Sequence, residues 1–173
     1  MSTRKLTTDA MLAAMCAVLG AVAIDLTVIK ITFESFPVLL AAFLFGPVDG
    51  LLVGIVGTFI YQVLRYSLTP TTVLWILPYA VSGLLVGLCA MKHNYRNTDR
   101  EIMAVTVVSE LVILILNTLA IYVDSKMFGY YSPEIITGNL MLRIVICIVK
   151  SVAFGLIMPK ILFAIARSRR KKD

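Results

Sequence analysis

The chain has 173 residues, of which 60% are hydrophobic, with a mean hydropathy of +0.93 and a formal net charge of +6. A soluble domain is nearer half apolar, so this composition excludes an ordinary water-soluble protein and predicts an integral membrane one. The positive charge does not point to nucleic acid, because it gathers in STRK at the N-terminus, KHNYRNTDR in one central loop and SRRKKD at the C-terminus. That is how the cytoplasmic flanks of membrane helices are charged.

Only helices or closed barrels satisfy the backbone in lipid, and the apolar runs lack the alternation of barrel strands. The sequence therefore predicts an all-α membrane protein, a compact bundle of six transmembrane helices forming a single domain over 1–173. In chain order the helices are expected at about 7–26, 36–45, 48–65, 71–91, 101–123 and 137–166. The second, FPVLLAAFLF, is short for a span, which needs roughly 20 residues. Fusing it to the third would carry Gly46, Pro47 and Asp49 into the middle of one helix. Proline lacks the backbone donor and a charge at that depth is costly, so a break is expected there. Both basic termini belong on the cytoplasmic side, which requires an even number of crossings.

Helix 1 carries small residues four apart at Ala10 and Ala14 and at Ala13, Ala17 and Ala21. In lipid such a stripe lets another helix approach closely, either inside the chain or as the docking face for a separate membrane subunit. The first apolar run has the charge layout of a signal peptide, but further spans follow it. Cys16, Cys89 and Cys147 lie apart in apolar runs without CxxC spacing, and read as packing or lipid-facing residues rather than a disulfide or metal site.

The turn between helices 3 and 4, VLRYSLTPTTVLWILPY, is polar and aromatic in a chain that otherwise avoids charge. Around it fall Tyr61, Gln62, Arg65, Tyr66, Thr71, Thr72, Trp75 and Tyr79. Some of these rings are ordinary interfacial anchors, and Arg65 is also placed to snorkel to the headgroups. Pro78 is expected to kink helix 4 beside Trp75. Helix 6 contributes Arg143 and Lys150, two turns apart on one face. Lys150 is expected to pair with Glu110 of helix 5, or to face a cavity, since an unpaired charge there is costly. Asn117 lies seven residues from Glu110 on the same face. Arginine suits a carboxylate and rings suit a flat heterocycle, so the expected ligand is a small aromatic compound with an acidic portion. The substrate-binding candidates are Lys30, Tyr61, Arg65, Tyr66, Thr71, Trp75, Tyr79, Asn117 and Arg143.

No enzymatic motif is present: His93, the sole histidine, lies in a loop, and there is no HExxH, GxSxG or glycine-rich nucleotide loop. Catalytic residues, a metal and a cofactor are not expected.

ITFESFPVLLAAFLFGPVDGLLVGIVG, with the length, the six helices and the alanine stripe, resembles the substrate-binding S components of energy-coupling factor (ECF) vitamin transporters. The match is to the family pattern xFxxxPxxLxxxLFGPxxGxxVG. The resemblance implies a cell-membrane subunit with both termini cytoplasmic that binds one vitamin on its extracytoplasmic side. It also implies that Ala10, Ala13, Ala14, Ala17 and Ala21 dock on a transmembrane coupling subunit served by two ATPases. Folate is the vitamin favoured, its pterin suiting the rings and its carboxylates Arg65, Arg143 and Lys30. The segment TPTTVLWILPY departs from the PGFTLS-like stretch of many folate-specific members. Pantothenate, thiamine, hydroxymethylpyrimidine and riboflavin are the alternatives, thiamine being disfavoured by a cationic pocket with Glu34, Glu110 and Asp124 as its only nearby carboxylates. From another class, a structural membrane protein that only binds helices is the competing reading.

Overall fold

The computed structural model describes residues 3–26, 29–93, 95 and 98–170; the side chains described exclude 4, 24–30, 134–139, 166 and 168–170. Six helices follow one another: α1 (Thr3–Ala21), α2 (Ser35–Phe45), α3 (Pro47–Tyr66), α4 (Thr72–Lys92), α5 (Asp99–Met127) and α6 (Pro133–Arg170). A small hairpin of β1 (Ile24–Leu26) and β2 (Ile29–Ile31) joins α1 to α2. α3, α4, α5 and residues 140–165 of α6 are each long and apolar enough to cross a membrane.

Two expected boundaries need correction. Helix 1 was expected to run to residue 26, but α1 ends at Ala21 and the chain turns extended. The segment VAIDLTVIKIT is dense in β-branched residues, which lose rotamer freedom in a helix and fit a pleated ribbon. Its strands pair antiparallel, with Ile24 opposite Ile31 and Asp25 opposite Lys30. At the other end of the chain, α6 begins at Pro133 and extends to Arg170, beyond the expected 137–166 on both sides. Proline is favoured at the first helical position, where its missing donor costs nothing.

The break between α2 and α3 falls at Gly46, whose φ of 108° lies in the left-handed region open to glycine. Pro47 then starts α3. α2 has eleven residues and is buried along most of its surface, from Pro37 to Phe43, so it forms the apolar heart of the bundle. Leu39, Ala41 and Ala42 are fully enclosed, with Cys16 of α1, Val53 of α3, Val86 of α4 and Met158 of α6 packed around them. Close approach of α3 and α4 depends on missing side chains. A Cβ on Gly83 would lie 2.3 Å from the Gly50 carbonyl oxygen, and one on Gly87 would lie 2.3 Å from the Pro47 Cα. Pro78 sits inside α4, and the helix continues through it.

Contacts at the two ends of the bundle fix the direction of the helices. At one end Lys5 of α1 bonds Asp49 of α3 at 2.9 Å and lies over the Phe45 ring of α2. At the other, Gly20 of α1 packs on Tyr61 of α3 and on Glu34, which precedes α2. The hairpin and the α3–α4 and α5–α6 connections share this second end with the cavity described next.

Candidate functional site

A cavity of about 610 Å³ opens at this end between α3, α4, α5, α6 and the segment after β2. Its size lies within the usual range for sites that hold a drug-sized ligand.

α3 supplies Tyr61, Gln62 and Tyr66, the first two of them buried. Tyr61 and Tyr66 meet edge to face, with ring centroids 6.1 Å apart. The turn that follows is stitched by threonine hydroxyls: Thr69 Oγ1 lies 3.0 Å from Thr72 Oγ1 and 3.3 Å from Thr71 Oγ1, and the Thr69 amide donates to Thr72 Oγ1. These bonds satisfy polar groups at the start of α4 and hold Thr69 and Thr71 at the cavity wall. α4 then adds Trp75 and Tyr79. The Tyr79 hydroxyl lies 3.3 Å from Thr32 Oγ1, tying α4 to the segment after β2.

The opposite wall comes from two helical stripes. On α5, Glu110, Ile113, Leu114, Asn117, Ile121 and Asp124 recur at three- and four-residue intervals; on α6, Arg143, Ile146, Cys147 and Lys150 do the same. Lys150 Nζ lies 3.2 Å from Glu110 Oε2, an ion pair nearly removed from solvent. Lys150 also lies over the Phe154 ring, 5.7 Å from its centroid. Phe128 and Tyr130 of the α5–α6 connection complete the rim, and the Tyr130 hydroxyl donates to Asp124 Oδ2. Burial and the neighbouring Asp124 carboxylate together push the Tyr130 phenol up to about 12, so it stays a donor at neutral pH.

Of the residues singled out in the sequence, Tyr61, Tyr66, Thr71, Trp75, Tyr79, Asn117 and Arg143 line this cavity together. Arg65 is exposed in the last turn of α3 and is not among the residues that line the cavity, although its charge lies near enough to act on Tyr61 of the wall. A long basic side chain at a helix end can lay its stem on apolar surface and keep its charge in water. The Lys30 side chain lies outside the described residues.

The wall also takes in Thr32, Thr69 and Tyr130, which the sequence reading did not single out, and Glu34, Gln62, Glu110, Asp124 and Lys150, which it placed nearby without counting them among the binding residues. For Asp124 a signal existed, since it continues the seven-residue spacing of Glu110 and Asn117. With Glu34, Glu110 and Asp124 set against Arg143 and Lys150, the described wall is of mixed charge rather than cationic.

The alanine stripe of α1 also divides. Ala13 and Ala17 are buried within the chain, whereas Ala10, Ala14 and Ala21 are exposed. Ala13 and Ala17 therefore pack inside the chain, which leaves Ala10, Ala14 and Ala21 as the outward-facing members of the stripe. Cys16, on the same inner face, is close to α3 at Gly57, where an added Cβ would lie 2.5 Å from the Cys16 Cβ.

Six helices, four of them long and apolar enough to cross a membrane, and a ligand-sized cavity opening at one end define a polytopic helical membrane protein. Residues 4–167 match the family described as ECF transporter, substrate-specific component, and the chain belongs to that family. It is thus a transport subunit of the membrane and not an enzyme. The fold is similar to that of a solved protein described as the S component of a bacterial ECF transporter, with a TM-score of 0.70 at 22% identity. The likeness covers 95% of this chain and 99% of that one. No curated protein matches the chain.

Proposed function

We propose that the chain is the high-affinity binding subunit for uptake of a flat heteroaromatic vitamin, with folate the best match, and that the cavity is its site. The observation that carries this reading is the composition of the wall: four rings from α3 and α4 face a stripe on α6 bearing Arg143 and Lys150, with carboxylates between them. Rings hold a flat heterocycle by stacking, and a guanidinium binds a carboxylate through paired hydrogen bonds. The acidic residues add a requirement that the sequence reading had not imposed, because they need a ligand with hydrogen-bond donors. Folate meets all three demands. Its pterin is flat, the amino-pyrimidinone edge of that ring donates two parallel N–H groups, and its glutamate end is anionic. Pantothenate would leave the rings idle.

Thiamine is the second reading, favoured by the presence of Glu34, Glu110 and Asp124 in the wall, since a cation needs carboxylates. It would leave Arg143 without an anionic partner. Delivery of the vitamin would proceed through a transmembrane coupling subunit and two ATPases, with the exposed residues Ala10, Ala14 and Ala21 of α1 as the docking face. Both termini would be cytoplasmic and the cavity extracytoplasmic.

Mass spectrometry of the small molecule released from purified, denatured protein tests the ligand directly. A folate is expected; release of thiamine transfers the site to the second reading. A ligand-free protein that binds neither folic acid nor any other vitamin offered would leave only the reading in which its small-residue faces bind other helices.

A further inference from the structure

The end of the bundle remote from the cavity holds a second polar cluster. The sequence TRKLTTDA places Lys5 and Asp9 one helical turn apart on α1, ahead of the apolar stretch that begins at Ala10. FGPVDG places Asp49 in the first turn of α3, where a carboxylate is favoured by the helix dipole. α1 packs along α3 so that Asp9 faces Asp49, while Lys5 bonds Asp49 Oδ2 at 2.9 Å. From α2, Phe45 contributes an apolar ring beneath Lys5. Among the described residues, Lys5 is thus the one cation set against two carboxylates.

Both carboxyl groups are withdrawn from water, Asp9 being 7% and Asp49 3% exposed. Neither oxygen of Asp9 has a hydrogen-bond partner, and neither does Asp49 Oδ1. A buried carboxylate oxygen without a donor is costly, and two adjacent carboxylates resist ionising together. We propose that Asp9 and Asp49 form a proton-binding site, with one proton held between Asp9 and Asp49 Oδ1 while Lys5 neutralises the remaining charge. A metal cation fits poorly, because Lys5 already occupies Asp49 Oδ2, the free oxygens are closed to solvent, and no group of three metal-ligating side chains occurs among the described residues. The bound proton joins α1 to α3 by a hydrogen bond. Its loss would place an uncompensated negative charge between the two helices, beside the exposed face of Ala10 and Ala14.

Infrared spectra of the full chain in lipid vesicles, taken over a pH series, test the site. Wild type is expected to show, on the mildly acidic side of the series, a protonated-carboxyl C=O band that is lost in Asp9→Asn. Asp49→Asn should lose it too, because Lys5 would then turn to Asp9 and hold it ionised. Sodium at fixed pH should leave the wild-type band unchanged. Since the folded chain binds the extra proton, its stability should fall as pH rises through the range where the band disappears, and Asp9→Asn should remove that dependence. A carboxyl-band region identical in wild type and Asp9→Asn at every pH, or a band abolished by sodium, overturns the proposal. If Asp9→Asn does not insert, Asp49→Asn decides by itself: persistence of the band in that variant overturns the site.

Discussion

Arg143 and Arg65 carry the same guanidinium at the same end of the bundle, yet only Arg143 faces the cavity. Helical periodicity groups Arg65 with Tyr61 and Tyr66, and the sequence leaves open whether Arg65 joins them or snorkels to the headgroups. What separates them is the direction of a long side chain at a helix end, where the headgroup level competes with the interior. Loss of a charge-assisted hydrogen bond costs about 1.5–3 kcal/mol, so Arg143→Ala should weaken folic acid binding by roughly 10- to 100-fold. Trp75→Ala, which removes a stacking face, should cost about tenfold. Arg65→Ala, exposed to solvent, should stay within about threefold. Titration of each purified variant with folic acid checks the order. Equal losses at Arg65 and Arg143 would return Arg65 to the site.

At the scale of the helices, α1 presents two faces that its alanine spacing could not distinguish. Ala13 and Ala17 face inward, while Ala10, Ala14 and Ala21 face outward. Four-residue spacing makes a flat stripe whichever neighbour covers it, and only the assembled bundle shows that α3 takes the inner one. A bulky side chain should therefore act differently on each. Ala13→Leu forces extra volume into a closed contact and should lower stability by about 1–3 kcal/mol. Ala14→Leu should leave unfolding temperature and ligand retention near wild type but abolish copurification with the coupling subunit. Undiminished complex formation by Ala14→Leu would remove this face as the docking surface. Other elements were legible for clear reasons. Gly46–Pro47 announced the break between α2 and α3 because one residue needs a left-handed backbone and the next cannot donate a hydrogen bond. The hairpin was hidden because its β-branched residues are as apolar as a membrane helix, so hydropathy carried α1 across them.

Over the whole molecule, the six helices bring the start of α1 and the end of α6 to one end and leave the cavity at the other. Of the basic residues, Lys5, Lys92 and Arg100 lie at the end away from the cavity, where α1 begins and where α4 connects to α5, while Arg65, Lys126 and Arg143 lie at the cavity end. Positive charge is retained on the cytoplasmic side during insertion, so this arrangement supports the proposal that the cavity faces outward. Single cysteines can test the orientation once Cys16, Cys89 and Cys147 have been replaced by alanine. Ser67→Cys, in the exposed turn between α3 and α4, should react with a membrane-impermeant maleimide in intact cells. Thr98→Cys, exposed just ahead of α5, should react only after permeabilisation. The converse pattern would put the cavity on the cytoplasmic side and contradict capture of an external vitamin, whatever molecule the protein is found to carry.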